Sequence, residues 1–383
     1  YAFAKALLSK GHNVTMICGS NWVSNTGLKN EFTNGKREGE VEGINIIEFQ
    51  LSYSNSDNFF KRSITFFKYA FRGARIFFKK DFDIVFASST PLTAGIPGIV
   101  FKILKKKTFI FEIRDLWPQL PKEMGVIKNP VLLKAMDLLE TISYKYADAC
   151  IGLSPGIVSG IKKKCPNKRV DLIPNGCDIS IVNNIKEFNN TNKFIAAFTG
   201  AHGYANGLDA VLDVAKFLLE KNEMDIEFHF IGDGVLKPKL LKRAEIEGLE
   251  NCKFIDPIPK IELFQYLLTN VHVGLMILKN VPAFYYGTSP NKFFDYISLG
   301  LPVINNYPGW LADIILQHKC GIPVKPNNII DFTNALLKLK ENISLRKKMG
   351  GNSFSLAKEK FDRKILSNRF VKFIESFEKN DEL

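Results

Sequence analysis

The sequence predicts two doubly wound α/β domains, each with a parallel sheet between layers of helices. Three features of the 383 residues indicate this fold class. Short apolar runs of strand length alternate with helical stretches in the first half, and the alternation resumes after residue 193. Residues 181–193 are polar, weakly periodic and rich in asparagine, as expected of a linker. We therefore predict a first domain over 1–180, a linker over 181–193 and a second domain over 194–365.

The apolar runs set the predicted strands. In the first domain they lie at Val14–Cys18, Ile44–Phe49, Ile84–Ala87, Thr108–Ile113, Ala149–Leu153 and Val170–Ile173. The helical stretches there are Lys61–Lys79, Leu92–Leu104, Val131–Tyr146 and Pro155–Lys163. The second domain has strands at Phe194–Thr199, Glu227–Ile231, Lys253–Ile255, Val273–Leu278 and Val303–Asn305, with helices between them. Two amphipathic helices, Ile329–Lys340 and Arg363–Lys379, follow.

The first residues form an α–β unit that lacks an opening strand. Phe3 and Leu7 have helical spacing, Gly11 ends the helix, and Val14–Cys18 follows as a strand. Because a parallel sheet usually begins with a strand and a newly made chain with methionine, we expect an N-terminal portion to be missing. The alternative is a domain that starts on a helix.

The composition is that of a globular chain, with 46% hydrophobic and 24% charged residues. No stretch reaches the roughly 18 apolar residues that a membrane span needs. The six cysteines are far apart, without a CxxC pair or a nearby histidine, which argues against a zinc site and a disulfide framework. Reduced thiols in the cytoplasm are the simplest interpretation.

The net charge of +13 favours a polyanionic partner. Nucleic acid, an anionic membrane surface and phosphorylated small molecules all fit this charge. Nucleic acid is the least favoured of the three, because the basic residues do not belong to a recognised binding module.

The most informative segment runs from Gly287 to Pro302. Ser289 is a good N-cap, Pro290 suits the first helical position, and Gly300 ends the predicted helix. Phe294, Ile297 and Leu301 are spaced to face the core, whereas Asn291, Asp295 and Ser298 share a polar stripe.

The start of this helix is a candidate phosphate site. Thr288, Ser289, Asn291 and Lys292 bring hydroxyls, free backbone N–H groups, the positive end of the helix dipole and an ammonium group to one place. Asp295, one turn further on, is positioned to accept hydrogen bonds from a ribose diol. The alternative is an ordinary capped helix with a solvated aspartate.

A second cluster follows an apolar strand of the first domain, at Phe111–Pro118. Ligands of open α/β sheets bind at the carboxyl ends of the strands, so Arg114 and Asp115 are expected in the cleft between the domains. The alternative is an Arg–Asp pair that fixes a turn.

Glycine turns follow two strands of the second domain. Gly200 and Gly203 lie where the backbone can approach a diphosphate, and Asp233 lies in the next turn, between two glycines. The third glycine of a nicotinamide-binding fingerprint is absent, and no Walker, Ser–His–Asp or HExxH pattern is present.

Residues 61–80 interleave lysine and arginine with phenylalanine and tyrosine. Such a helix is suited to the surface of an anionic bilayer. The competing interpretation is a helix packed on the core, with cations that extend their charged ends to water.

Together these segments resemble family 4 glycosyltransferases of the GT-B fold, and within them the bacterial O-antigen and capsule branch that includes L-fucosamine transferases. The residues that carry the resemblance are Gly11–Val14, Phe111–Pro118, Leu153–Gly156, Ile173–Gly176, Ile231–Gly234 and Ser289–Val303. The resemblance runs from Tyr1 to about Phe373.

The resemblance implies two facing Rossmann-like domains, with the nucleotide-sugar held by the second and the acceptor by the first. It implies that the final segment, 366–383, crosses back to the first domain. Of the two glutamates that the family places on the donor, the one on the ribose corresponds to Asp295 and the one on the sugar falls on Gly287. Ile258 completes the predicted donor site. The loop arginine and lysine of many relatives are absent from Ala201–Gly207, which leaves Lys292 as the main phosphate cation.

The expected reaction is transfer of a sugar, an N-acetylated amino sugar, from a UDP-sugar to a polyprenyl-diphosphate-linked acceptor. The resemblance implies retention of configuration and no metal or other cofactor. Lys292 would stabilise the leaving diphosphate, and Asp115 and Arg114 would orient the acceptor or bind phosphate. Such an enzyme would lie in the cytoplasm, peripherally on the inner face of the membrane. The alternatives are a nucleotide-sugar epimerase of the same architecture and a noncatalytic, membrane-associated assembly subunit.

Overall fold

The computed structural model describes residues 1–20, 25–52, 59–182 and 193–377. The chain divides into two compact units, one formed by Tyr1–Pro174 with Lys364–Leu383 and the other by Asn175–Arg363. The division falls before the linker predicted over 181–193, of which 183–192 lie outside the described residues.

The first unit alternates helices and strands. In chain order its elements are α1 (Ala2–Leu8), β1 (Thr15–Gly19), β2 (Lys36–Val41), β3 (Ile44–Phe49), α2 (Phe59–Ile76), β4 (Ile84–Ser88), α3 (Gly95–Lys105), β5 (Thr108–Ile113), α4 (Gln119–Glu123), α5 (Pro130–Tyr146), β6 (Ala149–Gly152), α6 (Pro155–Lys164) and β7 (Arg169–Leu172). The strands form a sheet of order β1-β3-β2 and a parallel sheet of order β4-β5-β6-β7.

The expectation that every strand of this unit is parallel is wrong for β2. This strand runs antiparallel to β3 at the edge of its sheet. Its sequence, KREGEV, is mostly exposed and has no apolar run, because an edge strand is held by backbone hydrogen bonds and needs few buried side chains.

The four-stranded sheet of the first unit is buried on both faces. Phe109 and Phe111 of β5 pack against α5 and α6, whereas Ile110 between them packs on the opposite face with the last helix of the chain. That helix, α16 (Arg363–Glu375), packs through Leu366 and Phe370, and the ring of Phe370 stacks on that of Phe3 at 4.2 Å between centroids. Successive side chains of a strand point to opposite faces, so one apolar run supplies both layers.

The second unit contains the remaining elements. They are α7 (Ile179–Val182), β8 (Phe194–Thr199), α8 (Asp209–Glu220), β9 (Ile226–Ile231), α9 (Lys237–Ile246), β10 (Cys252–Ile255), α10 (Lys260–Asn270), β11 (Val273–Met276), α11 (Ala283–Gly287), α12 (Asn291–Ser298), β12 (Val303–Asn305), α13 (Trp310–His318), β13 (Gly321–Pro323), α14 (Ile329–Glu341) and α15 (Ile343–Leu356). The last helix, α16 (Arg363–Glu375), returns the chain to the first unit.

The sheet of the second unit has the order β10-β9-β8-β11-β12-β13, and all of its strand pairs are parallel. Its core joins β8, β9 and β11 to α8 and α14, with side chains such as Phe198, Phe228 and Leu336 fully buried. The strands that follow β8 lie on both sides of it, with β9 and β10 on one side and β11, β12 and β13 on the other. The carboxyl ends of β8 and β11 therefore border the topological switch point, where ligands of such sheets bind.

The predicted aromatic helix is α2, and its aromatic residues do not share one environment. Phe77, just after the helix, is buried, whereas Phe67 and Phe71 are 58% and 63% exposed. The segment therefore has both buried and exposed aromatic rings, and its contact with a membrane surface stays a prediction. None of the helices in the described ranges has the length and apolar character needed to cross a bilayer.

Candidate active site

Helix α12 is anchored at the switch point by Tyr296. The buried Tyr296 hydroxyl accepts a hydrogen bond from the backbone N–H of Thr199, at the end of β8, at 2.8 Å. The ring lies against Gly274 of β11, where an added Cβ would come within 2.4 Å of it. Only glycine leaves room for this ring, so β8 and β11 together fix the position of α12.

The start of α12 differs from the prediction. The helix begins at Asn291, and no side chain caps it. The Ser289 hydroxyl accepts instead from the backbone N–H of Asn175 at 3.1 Å, so the prediction of Ser289 as N-cap is wrong. The polar stripe is also wrong in part, because Ser298 is fully buried and its hydroxyl donates to the carbonyl of Asp295 at 2.7 Å. The first turn keeps backbone N–H groups that no side chain satisfies.

Lys292 brings its ammonium group to the end of β8. Nζ donates to Oδ1 of Asn206 at 2.7 Å and lies 3.9 Å from the centroid of the Phe198 ring. Its Cε lies 3.7 Å from an ideal Cβ on Gly200. Burial lowers the pKa of Lys292 to about 7, because no carboxylate pairs with it to offset the desolvation. A bound anion would offset the desolvation of the ammonium group and so raise this pKa.

Asp295 lies in an ionic cluster. Its carboxylate is 3.4 Å from Nζ of Lys260, which also donates to Asp178 at 2.8 Å. Asp178 in turn pairs with Arg363. Burial raises the pKa of Asp295, and the neighbouring Lys260 partly counters this effect. A ribose that binds Asp295 would therefore meet a carboxylate already held by a lysine.

The two glycine turns pack against each other. A Cβ on Gly232 would lie 2.0 Å from the carbonyl oxygen of Gly200, and one on Gly234 would lie 2.6 Å from that of His202. The Gly232–Gly234 pair therefore has a packing role, because only glycine allows this backbone approach. Asp233 is exposed at the tip of this turn, while an added Cβ on Gly203 would meet no atom within 4 Å.

The other predicted donor residues lie around the start of α12. Gly287 ends α11 beside open space, and the Thr288 hydroxyl donates to the carbonyl of Phe284 at 3.0 Å. Asn291 is exposed, and Ile258 lies two residues before Lys260. The structure thus brings Gly200, Lys292 and the α12 start together, whereas Asp295 and Ile258 lie toward Lys260.

Sequence reasoning missed two polar residues in the loop between β8 and α8. Asn206 contacts Lys292, and His202 is fully buried with no hydrogen-bond partner on either ring nitrogen. Burial is the largest effect on His202 and lowers its pKa to about 4, so the ring is neutral at physiological pH. A buried histidine and asparagine in a glycine-rich loop carry no periodic signal in the sequence.

The predicted acceptor residues lie in the first unit, at the end of β5. Arg114 is 3.7 Å from the buried carboxylate of Glu112, and its backbone N–H donates to the Ser89 hydroxyl at 3.0 Å. Asp115 accepts from the Thr90 hydroxyl at 3.2 Å, and burial raises its pKa. The structure adds Glu112 to this cluster, although the sequence indicated only a strand residue there.

The described ranges contain no group of three histidine, cysteine, aspartate or glutamate side chains placed to hold a metal ion. All six cysteines lie in these ranges as free thiols. Independence of metal stays a prediction.

Two family models match the chain over adjacent ranges. Residues 1–181 match "Glycosyltransferase Family 4", and residues 182–355 match "Glycosyl transferases group 1". Two uncharacterised glycosyltransferases of Methanocaldococcus jannaschii are similar in sequence. One is 23% identical over 79% of this chain and 78% of its own length. The other is 25% identical over 56% of this chain, and the match spans only 57% of that relative.

Solved structures share the fold at low sequence identity. A sucrose-phosphate synthase from Thermosynechococcus elongatus has a TM-score of 0.76 at 13% identity, covering 99% of this chain and 92% of its own. WaaG, a glycosyltransferase involved in lipopolysaccharide biosynthesis, has a TM-score of 0.65 at 14% identity, covering 97% and 94%. HepE of Anabaena, solved with UDP-glucose, has a TM-score of 0.61 at 13% identity, covering 82% of each chain.

These matches account for both units and agree with the two parallel-sheet architectures described above. The chain is therefore a glycosyltransferase of the GT-B fold, whose first half belongs to Glycosyltransferase Family 4 and whose second half belongs to Glycosyl transferases group 1.

Proposed function

We propose that this enzyme is a retaining glycosyltransferase that moves an N-acetylated amino sugar from a UDP-sugar to a polyprenyl-diphosphate-linked acceptor. Its place is bacterial surface polysaccharide synthesis, of the O-antigen and capsule type. The observation that carries the donor half is the position of Lys292 at the end of β8, where no carboxylate of the described residues pairs with it, next to the uncapped start of α12. The likeness to HepE, solved with UDP-glucose, supports a nucleotide-sugar donor, and the likeness to WaaG supports the polysaccharide role.

The chemistry follows from the charges. As the bond between the anomeric carbon and the diphosphate oxygen breaks, positive charge develops on the sugar and negative charge on the leaving group. Lys292 and the α12 N-terminus stabilise that negative charge. The acceptor oxygen bonds to the anomeric carbon, and its proton passes to an oxygen of the leaving phosphate. In the first unit, Asp115 orients the acceptor hydroxyl or, as the alternative base, takes this proton in place of the leaving phosphate, and Arg114 binds phosphate.

A donor panel tests the proposal. The full-length chain is incubated with UDP- and other nucleotide-sugars and a lipid-diphosphate acceptor, and products are identified by mass and anomeric configuration. Donor consumption only in the presence of acceptor, with retained configuration, is the expected result. Inversion, or no consumption of any UDP-sugar, would contradict it.

Replacing Asp295 with alanine should weaken UDP binding by about 10- to 100-fold, since a charged acceptor for two ribose hydroxyls is lost. Titration calorimetry measures the change. Glu341→Ala removes an exposed carboxylate at the end of α14 and should leave the affinity unaltered. An unchanged dissociation constant in the Asp295 variant would remove this residue from the donor site.

Helix α2 supports a peripheral location on the inner face of the membrane. Phe60, Ile64, Phe67 and Phe71 are exposed at i, i+4, i+7 and i+11, and so lie along one face. Exposed cations lie beside this stripe at Lys61, Lys68, Arg75 and Lys79. An apolar stripe flanked by cations suits the headgroup region of an anionic bilayer, where a lipid-linked acceptor resides.

The double substitution Phe67→Ser with Phe71→Ser should reduce cosedimentation with phosphatidylglycerol-containing liposomes by about 10-fold or more, because two exposed rings leave the bilayer. Ile246→Ser removes an equally exposed apolar side chain from the second unit and should bind as the parent does. If the parent protein fails to sediment with these liposomes even at low salt, the membrane proposal is wrong.

A further inference from the structure

The ammonium group of Lys292 is oriented by Asn206. A lysine ammonium only donates hydrogen bonds, so the 2.7 Å contact to Asn206 must involve the amide oxygen. The amide nitrogen of Asn206 donates to the carbonyl of Ala201, also at 2.7 Å. Both ends of this amide are thus satisfied in one orientation, and the side chain is 9% exposed.

The backbone around Asn206 is held from several directions. Its N–H donates to the carbonyl of Gly203 at 3.1 Å, and the carbonyl of Ala205 accepts from the N–H of Lys279 at 2.8 Å. Gly207 has φ of +55°, and an added Cβ there would lie 3.0 Å from Cα of Lys279. The loop after β8 is therefore tied to the loop after β11, and Asn206 is a rigid acceptor rather than a surface side chain.

We propose that Asn206 is a positioning residue, whose amide oxygen, together with the ring of Phe198, holds the Lys292 ammonium toward the diphosphate of the donor. This inference deepens the proposed function and rests on it.

The pH dependence of donor affinity is the readout for Lys292. Among the described residues, the titratable groups near it include His202, which Lys237 and Asp233 also influence, and Asp295 on its own helix; Lys279 lies in the loop that binds Ala205. The pKa of His202, about 4, keeps it neutral above pH 6. Asp295 is held by Lys260, and Lys279 is exposed. We therefore expect a change of donor affinity between pH 6 and 9 to reflect the charge of Lys292.

Two substitutions of Asn206 should move this titration in opposite directions. Asn206→Ala removes an acceptor from the ammonium, which disfavours its charged form and lowers the pKa of Lys292. Asn206→Asp supplies a carboxylate, which favours the charged form and raises it. The pH above which donor affinity falls should shift downward by about one unit in the first variant and upward by a similar amount in the second.

The probe is UDP-glucose, whose diphosphate diester has no ionisation between pH 6 and 9, and the readout is calorimetric affinity for the full chain. At pH 7.5 we expect Asn206→Ala to weaken binding by about 10-fold. Asn251→Ala is the matched control, because it removes another buried amide that donates to a backbone carbonyl, here Ala215 at 3.0 Å. It should lower thermal stability without moving the pH profile.

The outcomes separate this inference from the proposed function. Opposite shifts of the pH profile in the two Asn206 variants support the positioning role of Asn206. If the parent protein binds UDP-glucose and Lys292→Ala weakens that binding while both Asn206 profiles match the parent, the positioning role is wrong and the donor site stands. If the parent protein binds neither UDP nor UDP-glucose, both are overturned.

Discussion

Replacing Lys292 with alanine should lower turnover by about 10²- to 10³-fold, the usual effect of removing a preorganised group that stabilises charge in the transition state. The ammonium lies at the end of β8, and no carboxylate of the described residues pairs with it, so in the proposed site its charge acts on the leaving diphosphate. Steady-state kinetics with the identified donor and acceptor measure the loss. Affinity for the donor should fall by about 10-fold, which is less than the loss of turnover.

Arginine at position 292 provides the control. Arginine stays charged at all relevant pH values, so the variant should lose the alkaline limb that Lys292 gives to kcat/KM above about pH 7. In the parent protein the charged fraction of Lys292 falls as pH rises through this pKa. A bound diphosphate favours the charged form, so the fall of kcat should occur at higher pH than the fall of kcat/KM. Equal turnover in the parent and the alanine variant would exclude Lys292 from the reaction.

Replacing Gly274 with alanine should destabilise the second unit by about 2–4 kcal/mol. The new methyl group would enter the space of the Tyr296 ring, 2.4 Å from its nearest atom, and force α12 away from β8. The hydrogen bond between the Tyr296 hydroxyl and Thr199 would be strained as well. Urea unfolding followed by near-UV circular dichroism measures the change, and donor affinity should fall with it.

Gly351→Ala is the matched control for this substitution. Gly351 is exposed inside α15, and an added Cβ would meet no atom within 4 Å, so the change should raise stability by about 0.5–1 kcal/mol. In the double variant Gly274→Ala with Tyr296→Leu, the loss of unfolding free energy should be smaller than the sum of the losses in the two single variants, because the smaller side chain accommodates the methyl group. Unaltered stability of Gly274→Ala alone would contradict the docking of α12 described above.

The sequence was most informative where strands are buried on both faces. Thr108–Ile113, Phe194–Thr199 and Val303–Asn305 were predicted with the bounds that the structure has, because each is a short, continuous apolar run. Strand Lys36–Val41 and helix Ile343–Leu356 were not predicted, since neither carries such a run. The domain boundary predicted before the polar segment stays a prediction: the compact units divide after Pro174, whereas the two family models meet between residues 181 and 182.

The candidate site was predictable in outline and not in its contacts. Periodicity placed Lys292 and Asp295 one turn apart on a helix near a strand end. The partner of Lys292 lies 86 residues away in the chain, at Asn206, and no local rule connects them. Likewise, Ser289 has the local sequence of a cap, but its hydroxyl is bound by Asn175, 114 residues away. Tertiary partners of this kind override local preference.

The charged outer strand β2 has a consequence for the behaviour of the protein in solution. A strand at the border of a sheet leaves a row of amide and carbonyl groups that another polypeptide can pair with, which is a common origin of fibrils. Here Lys36, Arg37, Glu38 and Glu40 line that border. A second chain that paired in register with β2 would place like charges side by side. The charged residues that kept this strand from being predicted from the sequence therefore also oppose self-association of the enzyme.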